Sequence, residues 1–494
     1  MISSCSSSSS SYTNVIPNNV DAVVSINVGD IIEKTGFYSD KEIQTLLLDA
    51  IKTDASRSLY SLTENIVSDI NKSGIDFKSP IYAAINSIDN EEVMFVAKLG
   101  NVKDFEGMID VLISENLCGN ICRDYDTFSH VFLGNGDAIL AYNDESIIAV
   151  QIPRGLNTET FLKSVINTLM TQTSDKSLAS NKGFSKMLSQ SSDVGFFVNY
   201  ENLMGAQRAN VSQLGFDANL LKDSYLFGGL GFNKGTIVLC SEYYTENNSM
   251  KEQLSVFQDI MPTLDGAYLP YISESASAMV AMGLNGGVLL DFVNSANSGI
   301  SSAAKNGFNQ MSDILSSFDG DVTISMEGDS DYTGFISAAS GDKASKLIPL
   351  IESTIGMRFK KSGDDSYNLN LGRGMNFNLG VSGSNVYVSN DTSKGTDIYK
   401  KVKNSITDID LVTKVSDKSL FFYGDVNSDF VKSAFRSELR RNPEIAYLMD
   451  EVKHVEFSLD KNFKVEAVLV LKNNKENALK VFTDAISKLA RSFR

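Results

Sequence analysis

The sequence predicts an α+β fold made of two related halves, each a mostly antiparallel sheet with packed helices. Three observations carry this expectation. The chain has 494 residues, more than one hydrophobic core organises, and its 42% hydrophobic and 21% charged content is that of a folded protein. Four pairs of segments of like character recur in the same order. Within each half, alternating apolar runs follow one another across short turns, as antiparallel hairpins do and a doubly wound parallel sheet does not.

The first pair is "DAVVSINVGDII" from Asp21 and "SAMVAMGLNGGVLLDF" from Ser277, each a strand running into a helix. The second is "EEVMFVAKLGNVKDFEGMIDVLISE" from Glu91 and "DYTGFISAASGDKASKLIPLIESTI" from Asp331. Both read as a strand, a polar break and an amphipathic helix. In the first of them, Phe105, Met108, Ile109 and Leu112 recur at helical spacing and share one side. "SDVGFFVNYENLM" from Ser192 and "SDKSLFFYGDVNSDF" from Ser416 are strands entering a helix or turn. "NKGTIVLCSEYYTENNSMKEQLSVF" from Asn233 and "DKNFKVEAVLVLKNNKENALKVF" from Asp460 are strand, Asn-rich turn, helix. A tandem duplication accounts for the shared order, with its boundary near Gly266 to Ile272. The expected organisation is a leader and tether over 1–17, a first α+β half over 18–268 and a second over 269–494.

Hairpins fill the interior of each half. "SHVFLGNGDAILAYNDESIIAVQI" carries turn signals at Gly134-Asn135-Gly136 and at Asn143-Asp144. "YNLNLGRGMNFNLGVSGSNVYVSN" has them at Gly372 to Gly374 and at Ser382 to Asn385. The last predicted helix, Lys475 to Arg491, presents Ala478, Val481, Phe482, Ala485, Ile486 and Leu489 on one side, and is expected to dock on the second sheet.

The net charge of −17 argues against a nucleic-acid partner, which needs clustered Lys and Arg to displace counterions, and offers no polybasic patch to an anionic membrane surface. No apolar run approaches the roughly eighteen residues of a spanning helix. Two histidines, His130 and His454, lie far apart, at positions that the duplication does not equate. Both read as structural or surface residues, so His-based catalysis and zinc sites lose their usual parts. No cofactor or metal is expected.

Of the four cysteines, Cys118 and Cys122 in "CGNIC" could close a small-loop disulfide in an oxidising compartment, although so short a loop restricts the geometry. Cys240, in the strand "TIVLCSEYY", reads as a buried free thiol. Lys34-Thr35-Gly36 and the Ser340-Lys343 pair look like elements of penicillin-recognising enzymes, but in reversed order and without a third motif. "FGGLGFNKG" from Phe227 lies between strands, without the helix a phosphate loop requires. Asp319, Asp321, Glu327, Asp329 and Asp331 could hold calcium, but their spacing is that of solvated turn acids.

The chain opens "MISSCSSSSSSYTNVIP". Ile2-Ser3-Ser4-Cys5 is the pattern of a bacterial lipobox, in which the cysteine thiol accepts lipid, and Ser6 to Ser11 suit a flexible tether. With Met1 so near Cys5, the expected basic start and apolar core of a signal would lie upstream. The bland alternative is a native start with a frayed serine tail. "YTNVIPNNVDAVVSINVGDIIEKTG" resembles the opening of a family of Bacteroidetes lipoproteins described only as a domain of unknown function, at Cys5, Tyr12, Ile16, Pro17 and Val23 to Val28. The resemblance seen along most of the chain implies an envelope protein anchored to the membrane through Cys5 and implies no reaction. Ser6 to Ser11 lacks the acids that direct some such proteins to the cell surface, which favours the periplasmic face of the outer membrane.

The expected function is therefore non-catalytic: a binding or scaffold module for an unknown envelope ligand or protein partner. The rival readings are a glycan hydrolase using two carboxylates across a cleft and an assembly partner of an outer-membrane complex.

Overall fold

The computed structural model describes residues 11–52, 56–87, 92–205, 218–295, 302–328, 331–355, 359–370, 376–391, 401–408, 412–434, 441 and 447–492. Residues up to 245 supply nine strands: β1 (Ala22–Ile26), β2 (Ile81–Ser87), β3 (Glu92–Lys98), β4 (Ser129–Leu133), β5 (Ala138–Tyr142), β6 (Ser146–Gln151), β7 (Val194–Asn199), β8 (Ser224–Asn233) and β9 (Thr236–Thr245). Ten more follow: β10 (Ala276–Asn285), β11 (Phe318–Glu327), β12 (Asp331–Ala338), β13 (Lys360–Lys361), β14 (Ser366–Asn370), β15 (Asn376–Ser382), β16 (Asn385–Ser389), β17 (Lys418–Asp425), β18 (Val452–Asp460) and β19 (Lys464–Leu471).

All pair antiparallel in one 19-stranded sheet. Its spatial order is β4-β5-β6-β3-β2-β1-β7-β8-β9, joined through β9–β19 to β19-β18-β17-β10-β11-β12-β16-β15-β14-β13. Counting outward from the β9–β19 seam, the two sides run in the same sequence: β8 and β18, β7 and β17, β1 and β10, β2 and β11, β3 and β12, then the hairpins β6-β5-β4 and β16-β15-β14. The expected turns at Gly134 to Gly136, Asn143-Asp144 and Ser382 to Asn385 connect strands as anticipated, with Gly134, Gly136 and Gly383 at positive φ. The turn expected at Gly372 to Gly374 lies outside the described residues.

Among the helices of the described residues are these six: α1 (Val28–Thr35), α2 (Val102–Ser114), α3 (Asn248–Ile260), α4 (Gly286–Ser295), α5 (Gly341–Ile355) and α6 (Ala478–Ser492). Each follows a strand, and asparagines open several of them. Asn101 accepts the Asp104 N–H, Asn247 those of Ser249 and Met250, and Asn477 that of Leu479 at 2.9 Å. The Asn-rich turns of the sequence are thus helix caps.

One face of the sheet packs Tyr82, Met94, Val96, Phe197 and Phe227 on the first side of the seam and Met279, Phe335, Tyr387, Phe421 and Tyr423 on the second. The opening Tyr12, Val15 and Ile16 belong to that first core, Tyr12 donating its hydroxyl hydrogen to the Pro80 carbonyl at 2.8 Å. Ser11–Val15 is already a 3-10 turn, so Tyr12 to Pro17 are part of the first body rather than of a tether. Cys5 and Ser6 to Ser10 lie outside the described residues.

The last helix on each side of the seam crosses it. α3 follows β9 yet packs against α4, with the Phe257 and Phe292 rings 5.1 Å apart. α6 follows β19 yet packs against α1. α6 was expected to dock on the second sheet; Ala478 and Val481 meet Val452 and Leu471 there, and the same cluster also takes in Ile237 of β9. The seam places an apolar strand from the other side under this helix, so its apolar side straddles both.

Candidate functional site

The sheet's second face is open along a band. At the seam, Leu239 of β9 stands opposite Ala467 of β19. From Leu239 the register runs through Leu230, Val194 and Ile26 to Ile81 of β2. From Ala467 it runs through Phe457, Phe422 and Val280 to Ile324 of β11. Ten strands thus contribute one residue each to a single row, and none of the ten is buried. Exposure reaches 36% at Phe457, 42% at Leu239 and 53% at Ile324, high for large apolar side chains in the interior strands of a sheet.

Side chains two residues along these strands share the face, and Val24, Phe196, Val465, Leu459 and Met282 extend the apolar surface. Helices border it on three sides. α6 covers Ile237, Leu469 and Val455 one step along the seam strands. α2 covers Ala97 and Ile147 at one end of the row, and α5 covers Ile336 and Val386 at the other. What remains between them is a continuous hydrocarbon strip, and such strips mark interaction sites.

Sequence reasoning did not nominate this surface. Its signal was present: Ala278–Leu284 of β10, Leu420–Gly424 of β17 and Ala467–Leu471 of β19 are unbroken runs without a charged residue instead of an alternation of apolar and polar positions.

The Lys34-Thr35-Gly36, Ser340-Lys343 and glycine-stretch motifs serve structure. Lys34 donates to both carboxylate oxygens of Asp193 at 2.6 and 2.7 Å, and Asp193, buried, also accepts the Phe232 N–H at 2.6 Å. Gly36 ends α1 at φ 71°, a left-handed position that favours glycine. Ser340 accepts the Lys343 N–H at the start of α5, and Lys343 donates to the Ser316 carbonyl at 2.6 Å. Within the glycine stretch, a Cβ on Gly228 would collide with the Cys240 carbonyl oxygen, so close strand packing explains that glycine.

Asp321 is buried on β11 and accepts the N–H groups of Asp265, Gly266 and Ala267 at 3.0, 2.9 and 3.3 Å, pinning the crossover between the two sides. Burial pushes its carboxyl above the ordinary range, against the pull of those three N–H groups. Asp319 and Asp331 are exposed near opposite ends of the β11–β12 hairpin, Glu327 sits at the far end of β11 from Asp319, and Asp329 lies outside the described residues. The described acids of this stretch converge on no common point.

Both histidines are buried. His454 Nε2 lies 3.1 Å from Glu456 Oε1, beside the Tyr423 ring, whose hydroxyl is pushed up to about 12 by burial and nearby acids. His130 lies in β4. The thiols of Cys118 and Cys122 are free, each bridged to a different residue of β4, Leu133 and His130. Cys118 points into the α2 core beneath the Ile109 carbonyl, whereas Cys122 leans on Asn120, so the extended pairing separates the two sulfurs. Cys240, expected to be buried, is half-buried at the seam with its Sγ 3.7 Å from Glu466 Oε2.

A cavity of about 530 Å³ opens beside α1 and the start of α6, lined by Lys34, Lys234, Lys475 and Lys480 with Asp30, Glu33 and Glu476. Its charges are mixed and several are spent internally, Lys34 on Asp193 and Lys480 on Asp484 at 2.8 Å. Among the described residues, no helix is long and apolar enough to cross a membrane.

No curated protein matches this chain. Two crystal structures of TP0453, forms I and III, align with 52% and 51% of this chain and 87% and 86% of their own, at 9% and 8% identity and a TM-score of 0.25, too low to assign a shared fold. A family model is more telling. It matches residues 12–479, from the buried Tyr12 to the first turn of α6, and so spans every strand of the sheet: the chain belongs to the DUF4836 family, a domain of unknown function.

Proposed function

We propose that this chain is a non-catalytic, lipid-anchored envelope protein that binds hydrocarbon along the ten-strand band. The observation that carries the reading is the band's composition. Its ten register partners follow one another without a side-chain donor or acceptor among them. An occupant is therefore held by burial of apolar surface, at about 25 cal/mol per Å², and not by hydrogen bonds. At ~4.8 Å between strands the row is about 43 Å long. That exceeds a single acyl tail, which spans half of a hydrocarbon core about 30 Å thick. Acyl chains are the hydrocarbon an envelope protein meets most.

The matching strand order on the two sides of the seam supports a tandem duplication, with Leu239 and Ala467 at the centre of the repeat. Anchoring through Cys5 rests on the lipobox pattern and the serine tether. Its test is the intact mass of protein expressed with its upstream region in a bacterial host: a chain starting at Cys5 with added acyl mass supports the anchor, and an unmodified chain retaining Met1 removes it.

The binding test uses delipidated protein and a fluorescent polyene fatty acid. Saturable uptake that Phe457→Asp and Leu239→Asp abolish, with the far-ultraviolet circular dichroism unchanged, is the expected result. Wild-type protein that takes up no probe overturns the proposal. So does uptake the two variants leave intact. Concentration-dependent pairing of the chain without uptake would assign the band to a second copy instead.

A further inference from the structure

The edge strand β4 carries a second constellation, remote in register from the band. The segment 118–122 pairs antiparallel with β4, and Cys122 and His130 exchange both backbone hydrogen bonds, at 2.8 and 3.0 Å. Residues paired in this way project side chains to the same face, with Cβ atoms about 5.5 Å apart or less. Asp124, two residues beyond Cys122, brings its Oδ1 to 3.7 Å from His130 Nδ1. The Cys122 sulfur, an Asp124 oxygen and a His130 ring nitrogen all lie within 4.8 Å of one another.

The imidazole gives the independent sign that this is a built site. The His130 side chain is only 2% exposed, and its Nδ1 has no hydrogen-bond partner. A buried polar atom left unmatched is destabilising, because it has lost its water without gaining a partner. The surroundings do not relieve it: the rings of Phe132, Tyr125 and Phe128 stand 5.4, 6.0 and 6.2 Å from the imidazole. A buried imidazole walled by aromatic rings, with an unmatched nitrogen 3.7 Å from a carboxylate oxygen and a thiol beside it, has the form of a metal ligand.

We propose that Cys122, Asp124 and His130 bind one Zn²⁺ ion, with solvent in the fourth position. Sulfur and imidazole together select a borderline-soft ion over magnesium or calcium, which take oxygen ligands. Tetrahedral bonds of about 2.0–2.3 Å place ligand atoms roughly 3.5 Å apart. The half-exposed Cys122 and the exposed Asp124 reach that spacing by moving about 1 Å toward the fixed imidazole. On binding, three ligand bonds form, the Cys122 S–H proton goes to solvent and nothing is oxidised. Cys118 is no part of the site, since its sulfur is buried against α2.

The test is a titration of the full chain, stripped with chelator and kept reduced, first with Co²⁺ and then with Zn²⁺. One equivalent of Co²⁺ should give a thiolate-to-cobalt charge-transfer band and intense tetrahedral visible bands, which Zn²⁺ then displaces. Cys122→Ser should abolish the charge-transfer band, while Cys5→Ser, Cys118→Ser and Cys240→Ser retain it. Asp124→Asn, on an exposed side chain that folding does not need, should weaken Zn²⁺ binding by at least about tenfold, and His130→Gln by more. Tetrahedral bands that survive Cys122→Ser overturn the proposal, as does a wild-type chain that shows no thiolate band at stoichiometric Co²⁺.

Discussion

Leu239 and Ala467 face each other across the ladder that fuses nine strands to ten. Seven residue pairs, from Glu242 opposite Lys464 to Thr236 opposite Val470, make that seam, and the exchanged helices α3 and α6 clasp it from both ends. Each side thus lends the other a helix, and neither sheet is complete at its seam strand alone.

Cooperative unfolding is the expected consequence. Urea melts followed by circular dichroism and by tyrosine fluorescence should coincide, because the seam ladder and the crossed helices are lost together. Phe257→Ala, which removes the α3 ring packed on Phe292, should lower the whole transition by about 1–2 kcal/mol. That figure is below the cost of truncating a buried Phe because Phe257 is partly exposed. Two separated transitions, with only one moved by the substitution, would sink this account of the seam.

The two faces of the sheet should respond oppositely to mutation. Ile324 and Phe335 sit on the adjacent strands β11 and β12 but on opposite faces, half-exposed in the band and fully buried in the core. Ile324→Ser should change stability by less than about 1 kcal/mol, and Phe335→Ala should cost about 3–5 kcal/mol. Chemical denaturation of the two variants checks this. Equal losses would mean that the band is core.

Much of this architecture was legible in the sequence because it is local. The strand–helix units starting at Asp21, Glu91, Asn233, Ser277, Asp331 and Asp460 all form, since alternation, helical spacing and Asn caps act within a few residues. What was not legible is set by register between distant segments. No spacing rule brings Leu239 opposite Ala467, more than two hundred residues away, so one sheet continuous through β9 and β19 was out of reach. The swap of α3 and α6 follows from the same pairing. Cys122 and His130 are close in sequence, but their spacing matches no zinc motif, and only the antiparallel bridge turns them toward each other.

Lys34 and Asp193 should prove a structural pair. Asp193 is buried with its charge met by the ammonium group and the Phe232 N–H. Lys34→Ala strands that carboxylate. Breaking a fully buried pair costs about 3–5 kcal/mol, and because Lys34 remains about a third exposed, water softens the loss to roughly 2 kcal/mol. Lys34→Ala with Asp193→Asn together should cost less than the sum of the single changes, as a double-mutant cycle in denaturant will show. Strict additivity would mean that the contact contributes nothing.

Asp321 should give the protein a pH signature of unusual sign. Its folded carboxyl titrates above the ordinary aspartate range, chiefly because burial penalises the charge. Between the ordinary value and the raised one, the folded chain holds a proton that the unfolded chain has released. Stability from this group is therefore fully present below the unfolded value and is lost as pH rises through the folded one. Most carboxylates act in the opposite direction. Asp321→Asn removes this titration while keeping one oxygen acceptor for the Asp265, Gly266 and Ala267 N–H groups. The melting temperature of the wild type should exceed that of the variant by more at about pH 4 than at about pH 7. A constant gap would show that the three N–H groups cancel desolvation, and a gap that widens toward neutrality would show that they outweigh it.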